Sequence, residues 1–348
     1  MNIYNYNLSV VIISRNEERN VARCIESVLK ATEGIESHEI VLVDSASTDR
    51  TVEIAKKYPI TTLQLRSSWH LSPAAGFYTG FLHTKGKYIQ FQCGDTILDE
   101  NWFENAIPVL EKDEQVAGVA GIVTQELYNT ITAKKYGEYH KNLPIGEVTV
   151  FAGDSLFKRE VLIKVRAFNP WLRALEEGEL CYRVIEKGYK LLRLPHHMSH
   201  HVGGGNETYI SFIKKAIRYV VAQGQILRYS LSNNRIFGWR LKEYKFKLLG
   251  AFLILFGFLA LASAVLGYIM TIYMWITAFF GGFLWMLCET RKVKNTMKLL
   301  VTQTLKSPFF VWGFLEPKKD PDAYPSDVRE IRNFFAAQKP LLKSFIKK

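Results

Sequence analysis

YIQFQCGDTIL, residues Tyr88 to Leu98, is the stretch from which the fold is read. Tyr88–Gln92 has the bulky, alternating look of a short strand, Gly94 breaks it, and Asp95 is left at its end. A carboxylate just past a strand of an α/β sheet lies on the edge where such sheets take ligands. There it offers a hard oxygen to a divalent cation beside a diphosphate. The same residue could instead cap a helix over Glu100–Leu110, so the segments around it decide between the two.

Upstream, two strand, turn and helix units follow one another. Leu8–Ser14 (LSVVIIS) reads as a buried strand, and Arg15-Asn16-Glu17-Glu18 opens a helix with Val21, Cys24, Ile25 and Val28 at helical spacing. Ile40–Val43 is a second strand, Asp44–Asp49 a polar turn, and Thr51–Tyr58 a helix. Repetition of this unit predicts a parallel sheet with ligands at the C-terminal ends of its strands. The first strand is not followed by Gly-x-Gly-x-x-Gly, and Gly-x-x-x-x-Gly-Lys-Ser/Thr is absent from the sequence, so neither a dinucleotide fold nor a P-loop is indicated. Glu17 and Asp44 can instead accept hydrogen bonds from ribose hydroxyls or a base N–H. As alternatives, Glu17 is a first-turn acid and Asp44 a turn former.

Composition narrows the class. Four cysteines without paired spacing indicate a reducing compartment, and MNIYNYN lacks the basic start and apolar run of a cleavable signal peptide. The net charge of +12 is unevenly placed: residues 207–348 hold 22 Lys and Arg against 8 Asp and Glu, and the remainder is slightly acidic. This argues against a nucleic-acid-binding N-terminal domain and for a cationic C-terminal part lying against anionic lipid headgroups.

In this order and spacing, SVVIISRNEE, VLVDSASTDRT and KGKYIQFQCGDTIL resemble the nucleotide-sugar-binding half of glycosyltransferase family 2, over about residues 8–205. The resemblance implies an α/β GT-A fold, a mostly parallel sheet flanked by helices. It also implies a nucleoside-diphosphate sugar donor, a divalent metal (Mg2+ or Mn2+) and inversion at the anomeric carbon. It places Ser14, Asn16, Glu17, Asp44 and Ser47 around the donor and makes Asp95 the last acid of the metal-binding Asp-x-Asp. Cys93 stands where the family usually has the first Asp, so the metal is assigned to Asp95 and diphosphate oxygens, with Cys93 a bystander. Phe77 and Tyr78 lie near where members often carry an Arg-Asn pair, and Lys85 or Lys87 is a substitute or a solvated charge.

VFAGDSLFKREVL, from Val150, reads as strand, turn and helix, and resembles the family segment that lines the donor and acceptor cleft. Asp154 is its candidate polar contact, or a helix cap. Glu176, Glu177 and Glu179 pack three carboxylates into four positions, which raises at least one pKa and suits a general base. Matched to the family's Glu-Asp motif, Glu177 takes the base position, with Glu179 nearby and Arg183 as its ion-pair partner. An acidic helix start is the alternative. After a strand over Lys190–Leu194 come four histidines in six residues, without zinc-site spacing. The family commonly has a histidine here that reaches the metal or diphosphate as a loop closes, so His200 and His201 are candidates, with Gly203–Gly205 as hinge.

From Glu207 to Tyr229 apolar and basic residues interleave as in an interfacial helix, and Gln225–Tyr229 partly resembles the Gln-x-x-Arg-Trp of processive synthases. Leu248–Cys288 is free of charge across 41 positions, about 60 Å as one helix, so it is expected to fold back near Gly267–Thr271 into two membrane spans. Small residues at Gly257, Ala260, Ala264 and Gly267, and at Ala278, Gly281 and Gly282, suit close packing of the two. Basic residues flank both outer ends, which puts them in the cytoplasm. Thr296–Leu315 is expected to be an interfacial helix, and the tail to carry a helix over Ser326–Ala337 that returns to the catalytic domain.

The expected organisation is a catalytic domain over 1–205, interfacial helices over 206–247, a transmembrane hairpin over 248–288, and an interfacial helix with a cytoplasmic tail over 289–348. The expected activity is transfer of a sugar to a lipid-linked or glycan acceptor at the cytoplasmic face of the cell membrane. Membrane lipids are a partner and nucleic acid is not. The rivals are a processive polysaccharide synthase and a catalytically inactive sugar-nucleotide-binding membrane protein, the latter favoured by Cys93 and the missing Arg-Asn pair.

Overall fold

The computed structural model describes residues 6–126, 142–151, 153–202 and 208–332. The chain divides into two compact units, Met1–Phe212 together with Lys319–Lys348, and Ile213–Lys318.

In the first unit the chain runs β1 (Tyr6–Ser14), α1 (Val21–Ala31), β2 (His38–Asp44), α2 (Thr51–Ala55), β3 (Thr61–Gln64), α3 (Pro73–Leu82) and β4 (Gly86–Cys93). These elements make a parallel sheet in the order β3-β2-β1-β4, as the repeated strand, turn and helix units predict. Its central strands are covered on both faces, so Val10, Val11, Ile12 and Ile40–Val43 are all buried rather than alternating. The apolar stripe of α1 (Val21, Cys24, Ile25 and Val28) is buried as its spacing requires. Helix α3 lies close on β1 because it presents glycine there: a Cβ on Gly80 would stand 2.1 Å from Val11 Cγ1.

The next stretch comprises β5 (Thr96–Leu98), α4 (Trp102–Lys112), β6 (Val116–Gln125), β7 (Gly146–Val148), β8 (Ser155–Lys158), α5 (Arg159–Lys164), α6 (Glu176–Glu186) and β9 (Lys190–His201). Here the expectation of a mostly parallel sheet is corrected. Strand β8 lies antiparallel between β4 and β6, and β9 runs parallel to β6 with β5 and β7 antiparallel on it. The sheet is therefore mixed. Strand β9 also extends past Leu194 to His201, because Ser199–His201 pair with Thr96–Leu98 immediately after the Gly94 turn. The tail supplies a second correction. Instead of a helix from Ser326, β10 (Arg329–Arg332) adds antiparallel to the open edge of β3. The proposed remainder of that helix, residues 333–337, and the Gly203–Gly205 hinge lie outside the described residues.

The second unit is helical: α7 (Tyr209–Ser230, entering from the first unit), α8 (Asn234–Val265), α9 (Met270–Thr290) and α10 (Val293–Leu315). Helices α8 and α9 are long and apolar enough to cross a membrane. They turn where expected, at Leu266–Ile269, with Gly267 at φ +92°. Their outward faces carry exposed Phe252, Leu255, Phe258, Leu259, Phe280 and Leu284, the reverse of a soluble core helix. Between them Trp275 Nε1 donates to Leu253 O at 2.8 Å beside Gly257, and Gly282 meets Leu249. Gly281, expected in this seam, meets nothing. The basic segment before the apolar run is part of α8 itself, since the sequence holds no breaker between Lys247 and Leu248. Residues of the synthase-like stretch are engaged locally: Gln225 Nε2 donates to Glu316 Oε2 at 2.7 Å and Arg228 lies over Phe314.

Candidate active site

The parallel strands end level with one another. Ser14 pairs with Asp44 and Ile13 with Cys93, so the tips of β2 and β4 flank β1 two strand spacings apart, roughly 10 Å. The loops beyond β1 and β2 clasp each other. The Asn16 N–H donates to Ser47 Oγ at 2.8 Å, and Asn16 Oδ1 accepts from the Thr48 N–H at 2.9 Å. Asn16 and Ala46 both sit in the left-handed region, φ 56°, which bends the two loops over the sheet edge. Asp44 is fully buried, and its Oδ2 accepts from the Ser47 N–H at 2.9 Å and from Gln64 Nε2 at 3.0 Å. Ser14, Asn16, Asp44 and Ser47 thus form one polar cradle. Gln64, which the sequence reading missed, signals itself only as the polar last residue of TTLQ.

Glu17 precedes α1 and is not part of its first turn. Its Oε2 accepts from Asn20 Nδ2 at 2.9 Å, and its N–H donates to Thr51 Oγ1 at 2.8 Å. Burial, reinforced by the Asp95 charge, pushes its carboxyl from the ordinary 4.5 up to about 7.

Asp95 lies in the tight turn from β4 to β5. The Gly94 N–H donates to Ile13 O at 2.8 Å, and a Cβ on Gly94 would stand 2.9 Å from that same oxygen. Only glycine fits the turn that swings Asp95 across the end of β1. Asp95 caps no helix: α4 starts after Asn101. Because β5 pairs with β9, Thr96 stands opposite His201, and His201 Nε2 reaches Asp95 Oδ2 at 3.1 Å. His200, the neighbouring candidate, does not join them. Its Nδ1 bonds Thr124 Oγ1 at 2.8 Å, and Thr124 also bonds His197, which pairs with Asp99. Successive residues of a strand face opposite ways, so a strand at this point parts His200 from His201.

Asp154 reaches the same sheet edge from the other half of the sheet. It is 2% exposed, and its Oδ1 accepts from the Cys93 N–H at 2.8 Å. It is not a cap, since Lys158 occupies the N-cap position of α5. Burial lifts its carboxyl from 3.8 to about 6, against the pull of the Cys93 N–H. Beside it, Leu175 turns left-handed (φ 63°) into α6, and Glu176 is buried. Glu177 keeps part of its surface open, yet burial of its carboxyl first and the Glu176 charge second hold it well above the usual carboxylate range. Asp154 adds to this, and the Gly153 backbone pulls the other way. Glu179 is separate from these two. It pairs with Arg183 through two bonds of 2.7 Å, the ion pair the spacing predicts, and Arg183 also donates to Val165 O and Ala167 O. A carboxylate so occupied braces the α5–α6 loop and is not placed to take a proton.

The Cys93 thiol is pushed up, by burial first and then by Asp154, Asp95 and Glu177, so it stays neutral. Among the described residues no group of three or more His, Cys, Asp and Glu side chains is arranged to hold a metal. Asp95 and His201 are a pair. The wider setting nonetheless suits a cation: the Asp95 charge raises the carboxyls of Glu17 and Asp154, and the Asp154 charge raises that of Glu177, an excess of negative charge that a divalent ion would relieve. An oxygen and an imidazole nitrogen accommodate Mn2+ readily, and Mg2+ with more oxygen from a ligand.

A mixed sheet with a polar cradle at its parallel edge and acidic side chains beside it has the α/β architecture of a GT-A-like fold. Residues 9–166 match the glycosyl transferase family 2 domain. The putative glycosyltransferase EpsE of Bacillus subtilis is 30% identical over 205 residues, 53% of this chain and 72% of that protein. The Methanococcus voltae dolichyl N-acetyl-alpha-D-glucosaminyl phosphate 3-beta-D-2,3-diacetamido-2,3-dideoxy-beta-D-glucuronosyltransferase is 23% identical over 239 residues, 64% of this chain and 74% of that one. In fold, the chain is similar to the mannosyltransferase PcManGT of Pyrobaculum calidifontis, solved with GDP-Man and Mn2+, with TM-score 0.53, 16% identity, and 89% of this chain and 86% of that one covered. The protein belongs to glycosyltransferase family 2 and is a glycosyltransferase.

Proposed function

We propose that this glycosyltransferase is an inverting, membrane-anchored enzyme that moves a sugar from a nucleoside diphosphate to a lipid-linked or glycan acceptor at the cytoplasmic face. The observation that carries the reading is the meeting of Asp95, Asp154 and Glu177, far apart in sequence, beside the Asp44 cradle at one sheet edge. The cradle of Ser14, Asn16, Glu17, Asp44 and Ser47 takes the nucleoside, with buried carboxylate and hydroxyl oxygens as acceptors. Asp95 and His201 would hold a divalent cation together with diphosphate oxygens, and when bound it supplies positive charge against the leaving group. Asp154 holds the Cys93 end of β4 and so fixes the turn that bears Asp95. Glu177 takes the proton of an acceptor hydroxyl as that oxygen forms its bond to the anomeric carbon and the bond to the diphosphate breaks on the opposite face. Burial and the Glu176 charge raise its carboxyl above the usual carboxylate range, which makes it the more basic.

The lipid-linked acceptor rests on the two apolar helices and on the dolichyl phosphate named for the M. voltae relative. Incubating membranes that contain the protein with labelled sugar nucleotides and Mn2+ tests it. Label should enter the lipid extract as a single-sugar addition with inverted anomeric configuration. Label in a long polymer, or retention of configuration, would contradict the proposal.

A further inference from the structure

The family match ends at residue 166, and the residues that follow are held by the far end of the chain. Arg166 and Ala167 both stand in the left-handed region, φ 61° and 47°, where side-chain-bearing residues need outside support. Arg183 grips one side of this turn through the Val165 and Ala167 carbonyls. The segment that follows α10 grips the other. Arg166 Nη2 pairs with Asp320 Oδ1 at 2.5 Å and Asp322 Oδ2 at 2.7 Å, and Trp171 Nε1 donates to Asp320 O at 2.8 Å. The anchor of the segment is Tyr324, only 4% exposed, whose ring meets Trp171 and Trp69 edge-on and whose hydroxyl donates to His70 O at 2.7 Å. Tyr78 gains a use here as well: its hydroxyl bonds Asp322 Oδ1 at 3.2 Å. Four residues beyond Trp171 the chain reaches Leu175, the left-handed entry to α6 that carries Glu176 and Glu177.

We propose that Lys319–Tyr324 is a positioning strap for the transfer reaction, holding the Arg166–Leu175 loop so that α6 enters the cleft with Glu177 beside Asp154. The strap's partners named above, Trp69, His70, Tyr78, Arg166 and Trp171, lie outside the proposed donor cradle, so its loss acts on turnover and not on donor affinity. This rests on Glu177 being the base. The ion pairs with Arg166 are exposed and stabilise the fold little, so the strap's effect on catalysis is separable from its effect on stability.

The test uses the full chain in detergent. Tyr324→Ala should free the strap, seen as faster tryptic cleavage after Lys319, and lower kcat at least fivefold with the donor KM within twofold. Asp320→Asn with Asp322→Asn should lower kcat in the same way, and adding Arg166→Ala should lower it no further, because all three act through one link. Freed strap with unchanged kcat, or a loss confined to donor KM, would overturn the proposal. Should Tyr324→Ala fail to fold, Trp171→Phe removes the indole N–H that Asp320 O accepts and shrinks the ring that Tyr324 meets, and should still lower kcat two- to threefold; an unchanged kcat there would overturn it too. Full activity of Glu177→Gln would instead sink the assignment of the base, a result independent of the strap variants.

Discussion

The backbone N–H of Cys93 donates to Asp154 Oδ1 at 2.8 Å, joining the end of β4 to a loop 61 residues further along the chain. Through this bond the half of the sheet that bears the Asp44 cradle and the half that bears the acidic helix share one edge. Asp154→Ala strands a part-buried N–H, which costs about 1–3 kcal/mol. In a domain of this size, that lowers Tm by roughly 2–12 °C. Thermal melts of the purified protein check this, and turnover should fall by more than the lost stability explains.

On the proposed assignment of the cation to Asp95 and His201, Cys93 is a bystander among the carboxylates. Cys93→Ser should keep turnover within about fivefold of the parent, whereas Asp95→Ala should lose at least about a hundredfold. Mn2+-dependent initial rates decide it. Equal losses in the two variants would make the sulfur a working ligand.

Glu17 gives a pH signature. Its folded-state carboxyl is raised from 4.5 to about 7, so folding favours the protonated form. The stability this contributes is fully present below about pH 4.5 and is lost as pH rises through about 7. Melting temperature in EDTA should therefore fall across that window, and Glu17→Gln should flatten the fall. Adding Mn2+ should shrink it, because a cation favours the ionised cleft.

The outer ends of α8 and α9 are tied by the ion pair of Lys245 with Glu289 and flanked by basic residues. Both ends should face the cytoplasm, with the Gly267 turn opposite. Protease treatment of sealed cells should spare residues 1–205 and reach them only after lysis; digestion in intact cells would reverse the topology.

Much of this was legible in the chain because local chemistry agrees with the fold. The alternation in Tyr88–Gln92, the apolar stripe of α1, the charge-free run and the i,i+4 spacing of Glu179 and Arg183 each state their structure within a few residues. What was illegible depends on partners distant in sequence. His200 and His201 look alike until the pairing of Ser199–His201 with Thr96–Leu98 shows which way each points. Sequence alone places the REIR segment in a helix from Ser326, and the open edge of β3, invisible to local pattern, makes it a strand instead.

The central claim is that the acidic cleft performs transfer and that Glu177 is its base. Its most direct test measures donor affinity and transfer rate side by side for the parent protein and Glu177→Gln, with the same sugar nucleotide and Mn2+. The predicted result is equal donor Kd with transfer slowed by about 10²–10⁴-fold in the variant. A parent protein that binds the donor without turning it over, or a variant that transfers at the parent's rate, would contradict the account.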